Sequence, residues 1–275
     1  VTLEDLPPLR EVIAAYGLAA KKNLGQNFLL DLNLTLKIAR AAGDLSSATV
    51  LEVGPGPGGL TRALLLAGAR RVIAVERDQR CIKALQSLVG ASEGKLTLHY
   101  GDALDFSLEI LGEEPLKIIA SLPYNIGASL LIGWLRQARY ISSMTLMFQK
   151  EVAERITASP HSKAYGRLSV ICQARAKCRK LFDVSPSAFT PSPKVTSSIV
   201  EFIPYPSTEI SWKFESLEAV TQAAFGQRRK MLRSSLKSLF LFPEKILQEL
   251  DLDPQKRAED LTISDFIRLS FSVKT

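Results

Sequence analysis

"LEVGPGPGGLTRAL", residues 51–64, decides how the rest of the chain is read. "TVLEVG" (49–54) has the apolar, β-branched character of a buried strand, and "GLTRALLLAG" (59–68) has that of a helix. Between them lies a turn of glycine and proline. Gly54, Gly56 and Gly59 satisfy the G-x-G-x-x-G spacing, and Glu76 follows about 20 residues on, at the end of the next strand. Glycines let the backbone turn sharply and approach a ligand, and a carboxylate at Glu76 can accept from both hydroxyls of a ribose. On its own this pattern fits a nicotinamide cofactor, a flavin or S-adenosylmethionine.

Outward from the loop, strands and helices alternate. "RVIAVE" (71–76), "KLTLHYGD" (95–102), "LKIIAS" (116–121) and "SMTLMFQK" (143–150) read as strands. "QRCIKALQSLV" (79–89), "ASLLIGWLRQ" (128–137) and "EVAERIT" read as helices, with a further short one near 106–112. Upstream, helices are expected at Leu9–Tyr16 and at Leu32–Ala42, the second closed by Gly43, with the polar segment "KKNLGQNFLLD" between them. This rhythm predicts an α/β, Rossmann-like parallel sheet. "RLSVICQARAKCRKLFDV" (167–184) reads as a long bent strand, and "TSSIVEFIPY" (196–205) as another, giving the sheet a hairpin-like ending. Beyond "PYPSTEI" four helices are expected, at 215–224, 228–239, 243–250 and 262–271, with Ser264 as a cap on the last. The expected organisation is a sheet domain over residues 1–205 and a small all-helical C-terminal domain over 206–275.

Ligands of open parallel sheets lie at the carboxyl ends of the strands. Gly54, Glu76, Asp102 and Ser121 all fall at such ends. Glu52 precedes the glycines in the pattern E-x-G-x-G-x-G, which is typical of S-adenosylmethionine methyltransferases, and Asp102 in "GDALDF" is placed to meet an adenine amino group. Ser121-Leu122-Pro123-Tyr124 matches the (Asp/Asn/Ser)-(Pro/Leu)-Pro-(Tyr/Phe) motif of enzymes that methylate exocyclic amino groups. An adenine N6 lone pair is delocalised into the ring and is a poor nucleophile. The Ser121 hydroxyl and the Leu122 carbonyl can accept its two protons, Pro123 restricts the loop, and Tyr124 offers a face on which an extruded base can stack. Transfer then rests on proximity and orientation, without a strong base or a metal.

The chain has 275 residues, 46% hydrophobic and 23% charged, and no apolar run of membrane-spanning length. Its first residues lack the pattern of a signal peptide. Cys81, Cys172 and Cys178, an odd number without C-x-x-C spacing, argue against a disulfide framework or structural zinc and fit a reducing cytoplasm. The net charge is +7. Basic residues gather between Lys163 and Lys194 and again in "FGQRRKMLRSSLK", which carries Arg228, Arg229, Lys230, Arg233 and Lys237 with no acid. Two such patches point to a phosphate-backbone partner.

The stretches "KKNLGQNFLLD", "LEVGPGPGGLTRALL", "VERD", "GDALDF", "SLPYNIGASLL", "FQKEVAERI", "YGRLSV", "FTPSPKVTSSIVEF" and "AFGQRRKMLRSSLK" follow one another in an order that resembles the ribosomal RNA small-subunit adenine dimethyltransferases of the KsgA type. The resemblance covers nearly the whole chain. It implies methyl transfer from S-adenosylmethionine to two adjacent adenosines near the 3′ end of 16S rRNA in a nearly mature small ribosomal subunit, docked with help from the C-terminal helices. It implies donor contacts from Asn27, Leu29, Gly54, Gly56, Glu76, Asp102 and Ser121. Tyr124 would stack on the target base with Phe189 opposite, and Gln26 would lie by the substrate channel. Many members carry Asn where this chain has Ser121. A monomer is the default expectation. Three rival readings share parts of this pattern: a large-subunit rRNA adenine methyltransferase of the macrolide-resistance type, a non-catalytic RNA-binding assembly factor, and a nucleotide-linked oxidoreductase. The last gives "SLPY" no role, and the intact "GPGPGG" and "LPY" argue against the second.

Overall fold

The computed structural model describes residues 2–21, 26–112 and 116–274; residues 22–25 of the polar segment lie outside the described residues. In chain order the elements are α1 (Leu9–Ala15), β1 (Phe28–Leu29), α2 (Leu32–Ala41), β2 (Thr49–Val53), α3 (Gly59–Leu66), β3 (Arg71–Glu76), α4 (Gln79–Ala84), α5 (Gln86–Ala91) and β4 (Leu96–Tyr100). They continue with β5 (Leu116–Ser121), α6 (Gly127–Arg136), β6 (Ile141–Gln149), α7 (Lys150–Ile156), α8 (Arg167–Arg175), β7 (Ala176–Val184), β8 (Phe189–Thr190) and β9 (Ser197–Pro204). Four helices complete the chain: α9 (Phe214–Gly226), α10 (Leu232–Ser235), α11 (Pro243–Glu249) and α12 (Ile263–Ser270).

Seven strands form one sheet in the order β4-β3-β2-β5-β6-β9-β7. The neighbours from β4 to β6 run parallel, and β9 pairs antiparallel with β6, from Gln149↔Ser197 to Met144↔Phe202. The order reverses between β2 and β5, so a crevice opens at their carboxyl ends. β2 is buried along its whole length, as a central strand of a parallel sheet must be. Val50, Val72, Ala74 and Ile119 of the sheet pack with Ile38 and Ala39 of α2 and with Leu60, Ala63 and Leu64 of α3. The continuous apolar runs of β2 and β3 and the helical spacing in α2 and α3 are what make these segments fold as they do.

Contacts divide the chain into two units. The first holds residues 1–150 and 179–203 and includes the strand ends described above. The second holds 151–178 and 204–275. The division therefore differs from the expected single boundary near 206. The reason is α8: residues 167–175, expected as the first part of a long strand, are helical and pack with α9 and α12. Tyr165, fully buried, donates its hydroxyl to the Leu261 carbonyl at 2.9 Å, and Phe225 lies edge-on to it and stacked on Phe266.

Local departures are also physical. The helix expected over 79–89 breaks at Leu85 into α4 and α5. The segment near 106–112 is a 3-10 turn, Leu108–Leu111. The helix expected at 228–239 is reduced to α10 and a 3-10 turn, because residues 227–230 form a turn closed by Lys230 N–H on the Gln227 carbonyl at 2.8 Å. α12 is capped by Thr262 rather than Ser264: Thr262 Oγ1 accepts from Asp265 N–H, and Asp265 returns the bond to Thr262 N–H. Gly43 does close α2, at φ +74°. Among the described residues no helix is long and apolar enough to cross a membrane.

Candidate active site

The carboxyl ends of β2, β3 and β5 and the loop after β4 enclose a cleft of about 850 Å³, part of it open to solvent. One wall is the glycine loop. Gly56 has φ +55°, and a Cβ there would press on the Phe28 ring at 3.1 Å. Gly59 begins α3 so close to β1 that a Cβ would sit 2.7 Å from the Leu29 carbonyl oxygen. Glycine at these two positions therefore lets β1 lie against the loop, which carries Phe28 to the cleft.

Glu76 closes this side. Its Oε2 accepts from Gly56 N–H at 3.2 Å and its Oε1 from Asp78 N–H at 2.8 Å. Burial pushes the Glu76 pKa up, and the N–H groups of Asp78, Gly56 and Arg77 oppose that shift. Each oxygen keeps acceptor capacity for a ligand hydroxyl, so these acceptors fit a ribose-bearing cofactor. Asp102 lies at the same rim. One oxygen accepts from Leu104 N–H at 3.0 Å, and the other pairs with Arg77 at 3.1 Å.

Ser121 ends β5, and Leu122, Pro123 and Tyr124 turn the chain into α6. The Pro123 carbonyl accepts from Ile126 N–H at 3.2 Å and from Gly127 N–H at 3.0 Å, which fixes the corner. Pro123 abuts the glycine loop, since a Cβ on Gly54 would be 3.9 Å from Pro123 Cδ. The half-buried Tyr124 shares a 2.7 Å hydroxyl hydrogen bond with Ser197 at the start of β9. Burial raises the Tyr124 pKa against the effect of that bond. The antiparallel strand β9, next to β6, is thus what anchors the ring.

Gln26, Asn27, Gly54, Gly56, Glu76, Asp102, Ser121, Leu122, Pro123, Tyr124 and Phe189 all line this one cleft. Leu29 does not; its side chain is buried in the core with Ile38 and Leu60, while its backbone pairs with Phe189. Arg228, Arg229, Lys230 and Arg233 belong to the second unit and are exposed. Of these, Arg228 is already engaged, by Glu259 at 3.2 Å and the Lys163 carbonyl at 2.9 Å. Sequence reasoning missed Phe28, Arg77, Asn125 and Ile126 in the cleft lining. Phe28 and Asn125 sit inside motifs already singled out, beside residues that were chosen. Among the described residues no cluster of His, Cys, Asp or Glu suits a metal ion, and all three cysteines are free thiols.

A glycine loop, a buried glutamate in the cleft wall and an S-L-P-Y corner on one such sheet define a Rossmann-like, S-adenosylmethionine-dependent methyltransferase. The chain belongs to the ribosomal RNA adenine dimethylase family, whose sequence pattern matches residues 17–274. It is 56% identical to the ribosomal RNA small subunit methyltransferase A of Azorhizobium caulinodans, across 98% of this chain and 93% of that one. It is 56% identical to the enzyme of the same name from Xanthobacter autotrophicus, across 98% and 94%. Among solved structures, a dimethyladenosine transferase from Plasmodium falciparum superposes with a TM-score of 0.73 at 30% identity, covering 85% of this chain and 93% of that one. The 23S rRNA methyltransferase ErmE gives 0.68 at 25% identity, covering 90% and 99%.

Proposed function

We propose that this protein transfers methyl groups from S-adenosylmethionine to N6 of two adjacent adenosines near the 3′ end of 16S rRNA during small-subunit biogenesis, acting as a monomer in the cytoplasm. One observation carries the reading: the Gly56–Glu76 wall and the Ser121–Tyr124 corner face a single cleft. The large-subunit alternative is disfavoured by similarity, 25% identity to ErmE against 56% to the small-subunit enzymes.

Glu76 and the glycine loop hold the donor, which supplies a methyl group on a positively charged sulfur. The Ser121 hydroxyl and the Leu122 carbonyl accept the N6 protons and so localise the lone pair, while Tyr124 stacks on the base with Phe189 opposite. Because these groups orient rather than ionise, the chemistry rests on placement. The direct test is labelled methyl transfer to undermethylated small subunits, with mass mapping of the nucleosides. N6,N6-dimethyladenosine at two neighbouring positions is expected; no transfer, or transfer only to large-subunit RNA, would overturn the proposal.

Two variant series test the parts. Ser121→Asn should match or exceed the native rate, since it restores a longer acceptor. Ser121→Ala should lose about 3- to 10-fold, the value of one hydrogen bond of about 1 kcal/mol with the backbone acceptor retained. Undiminished transfer by Ser121→Ala removes the hydroxyl from the mechanism. For RNA docking, Arg229 and Lys230 are the informative pair, because neither forms an ion pair among the described residues, unlike Arg228. Reversing both charges should weaken subunit binding by at least about 10-fold and flatten its salt dependence. An unchanged salt slope would show that this turn does not touch phosphate.

A further inference from the structure

Asp78 is 5% exposed and lies between the donor-binding wall and the segment that delivers Gln26. Its backbone N–H is held by Glu76 Oε1 at 2.8 Å. Its Oδ1 accepts from Arg80 N–H and Arg80 Nε, both at 3.1 Å. Its Oδ2 accepts from an Arg80 terminal nitrogen at 2.7 Å and from Gln26 Nε2 at 3.0 Å. Arg80 also donates to the carbonyls of Gly17 at 3.0 Å and Ala19 at 3.3 Å. Gln26 in turn accepts from Lys21 N–H at 3.0 Å.

We propose that Asp78, acting with Arg80, is a positioning residue that couples donor binding to RNA binding, by tying residues 17–21 and Gln26 to the Glu76 carboxylate; this rests on the methyltransferase reading above.

Four donors occupy the Asp78 carboxylate, so it has no capacity left for a ligand. Its work is internal. Residues 18–21 have no regular secondary structure, and what orders the segment is the Arg80 fork together with the buried Leu18. At the other end of the same chain of bonds, Glu76 holds Gly56 and Asp78 at once. Donor hydroxyls on Glu76 would fix that carboxylate further, and with it Asp78, Arg80 and the acceptor-side Gln26. The Arg80 hydrogen bonds, the largest cause, hold the Asp78 pKa down to about 2, so the latch stays charged at physiological pH. By linkage, RNA must then tighten donor binding by the same factor as donor tightens RNA binding.

A plain helix-capping role is the rival, since Asp78 also caps α4. Asp78→Asn separates the two. Asparagine keeps the capping oxygen but puts an NH2 where Gln26 and Arg80 donate. Arg80→Lys, which keeps charge and loses the fork, serves if the first variant folds poorly. The measurements are binding of undermethylated small subunits to the full chain with and without S-adenosylhomocysteine, S-adenosylhomocysteine affinity alone, and steady-state transfer. In the native protein S-adenosylhomocysteine should tighten subunit binding by at least about 5-fold. In both variants that factor should fall below about 2, and KM for subunits should rise about 10-fold, with S-adenosylhomocysteine affinity alone within about 2-fold. Equal coupling in native and variant proteins overturns the proposal, as does a loss confined to donor affinity. Absence of transfer by the native protein would overturn the functional reading itself, which these outcomes do not.

Discussion

Tyr124→Ala should lower methyl transfer by about 100-fold or more while leaving donor affinity within about 3-fold. A stacked base is worth about 1–3 kcal/mol, and an acceptor that is misplaced by an ångström costs on the order of 100-fold in rate. Both losses fall on the acceptor, because the proposed donor wall is Gly56 and Glu76, not Tyr124. Tyr124→Phe separates the ring from its anchor. It keeps the stacking face but leaves the fully buried Ser197 hydroxyl without the 2.7 Å partner it has now. That unpaired hydroxyl costs about 1–3 kcal/mol of stability, so the phenylalanine variant should melt at a lower temperature and yet transfer within about 10-fold of the native rate. Single-turnover rates with calorimetric donor affinities read the two effects separately. Transfer by Tyr124→Ala within 3-fold of native would show that the ring does not hold the base.

The contrast between these residues and the helical unit explains what could be read in advance. Gly54, Glu76 and Ser121 were legible because each ends an apolar run set by a buried parallel strand, and Asp102 because it follows the parallel edge strand β4; strand ends converge by topology. The segment 167–175 was not. In α8, Ser169 to Cys172, Ala174 and Arg175 are all buried, so the helix has little polar face and its periodicity matches a buried strand as well. Only packing with α9 and α12 settles it. β1 and β8 pair just two residues each, too few for any alternation, so the placement of Phe28 against Gly56 was invisible, as was the burial of Leu29 away from the cleft. Asp78 shows the same limit. Its place before α4 announces a cap, but its bond to Gln26 spans 52 positions and no local pattern records it.

Glu52 carries the prediction for stability against pH. It is fully buried on β2, and its Oε2 has no hydrogen-bond partner. Burial raises its pKa to about 8; the Thr61 hydroxyl, close but without hydrogen-bond geometry, offsets part of this, and the Glu76 charge adds to it. The unfolded value is near 4.5. Below that pH both states hold the proton and nothing is lost. Between about 4.5 and 8 the unfolded chain releases it and the folded chain does not, so stability falls as pH rises, by at most about 5 kcal/mol. The raised Glu76 pKa acts in the same direction. Glu52→Gln cannot ionise, so its urea midpoint should change much less between pH 5.5 and 8 than that of the native protein. The variant should gain on the native protein as pH increases, and the gap should narrow toward pH 5. Parallel pH profiles for the two proteins would mean that Glu52 is ionised in the fold. In that case a counter-charge or water must reach the carboxylate beneath the glycine loop.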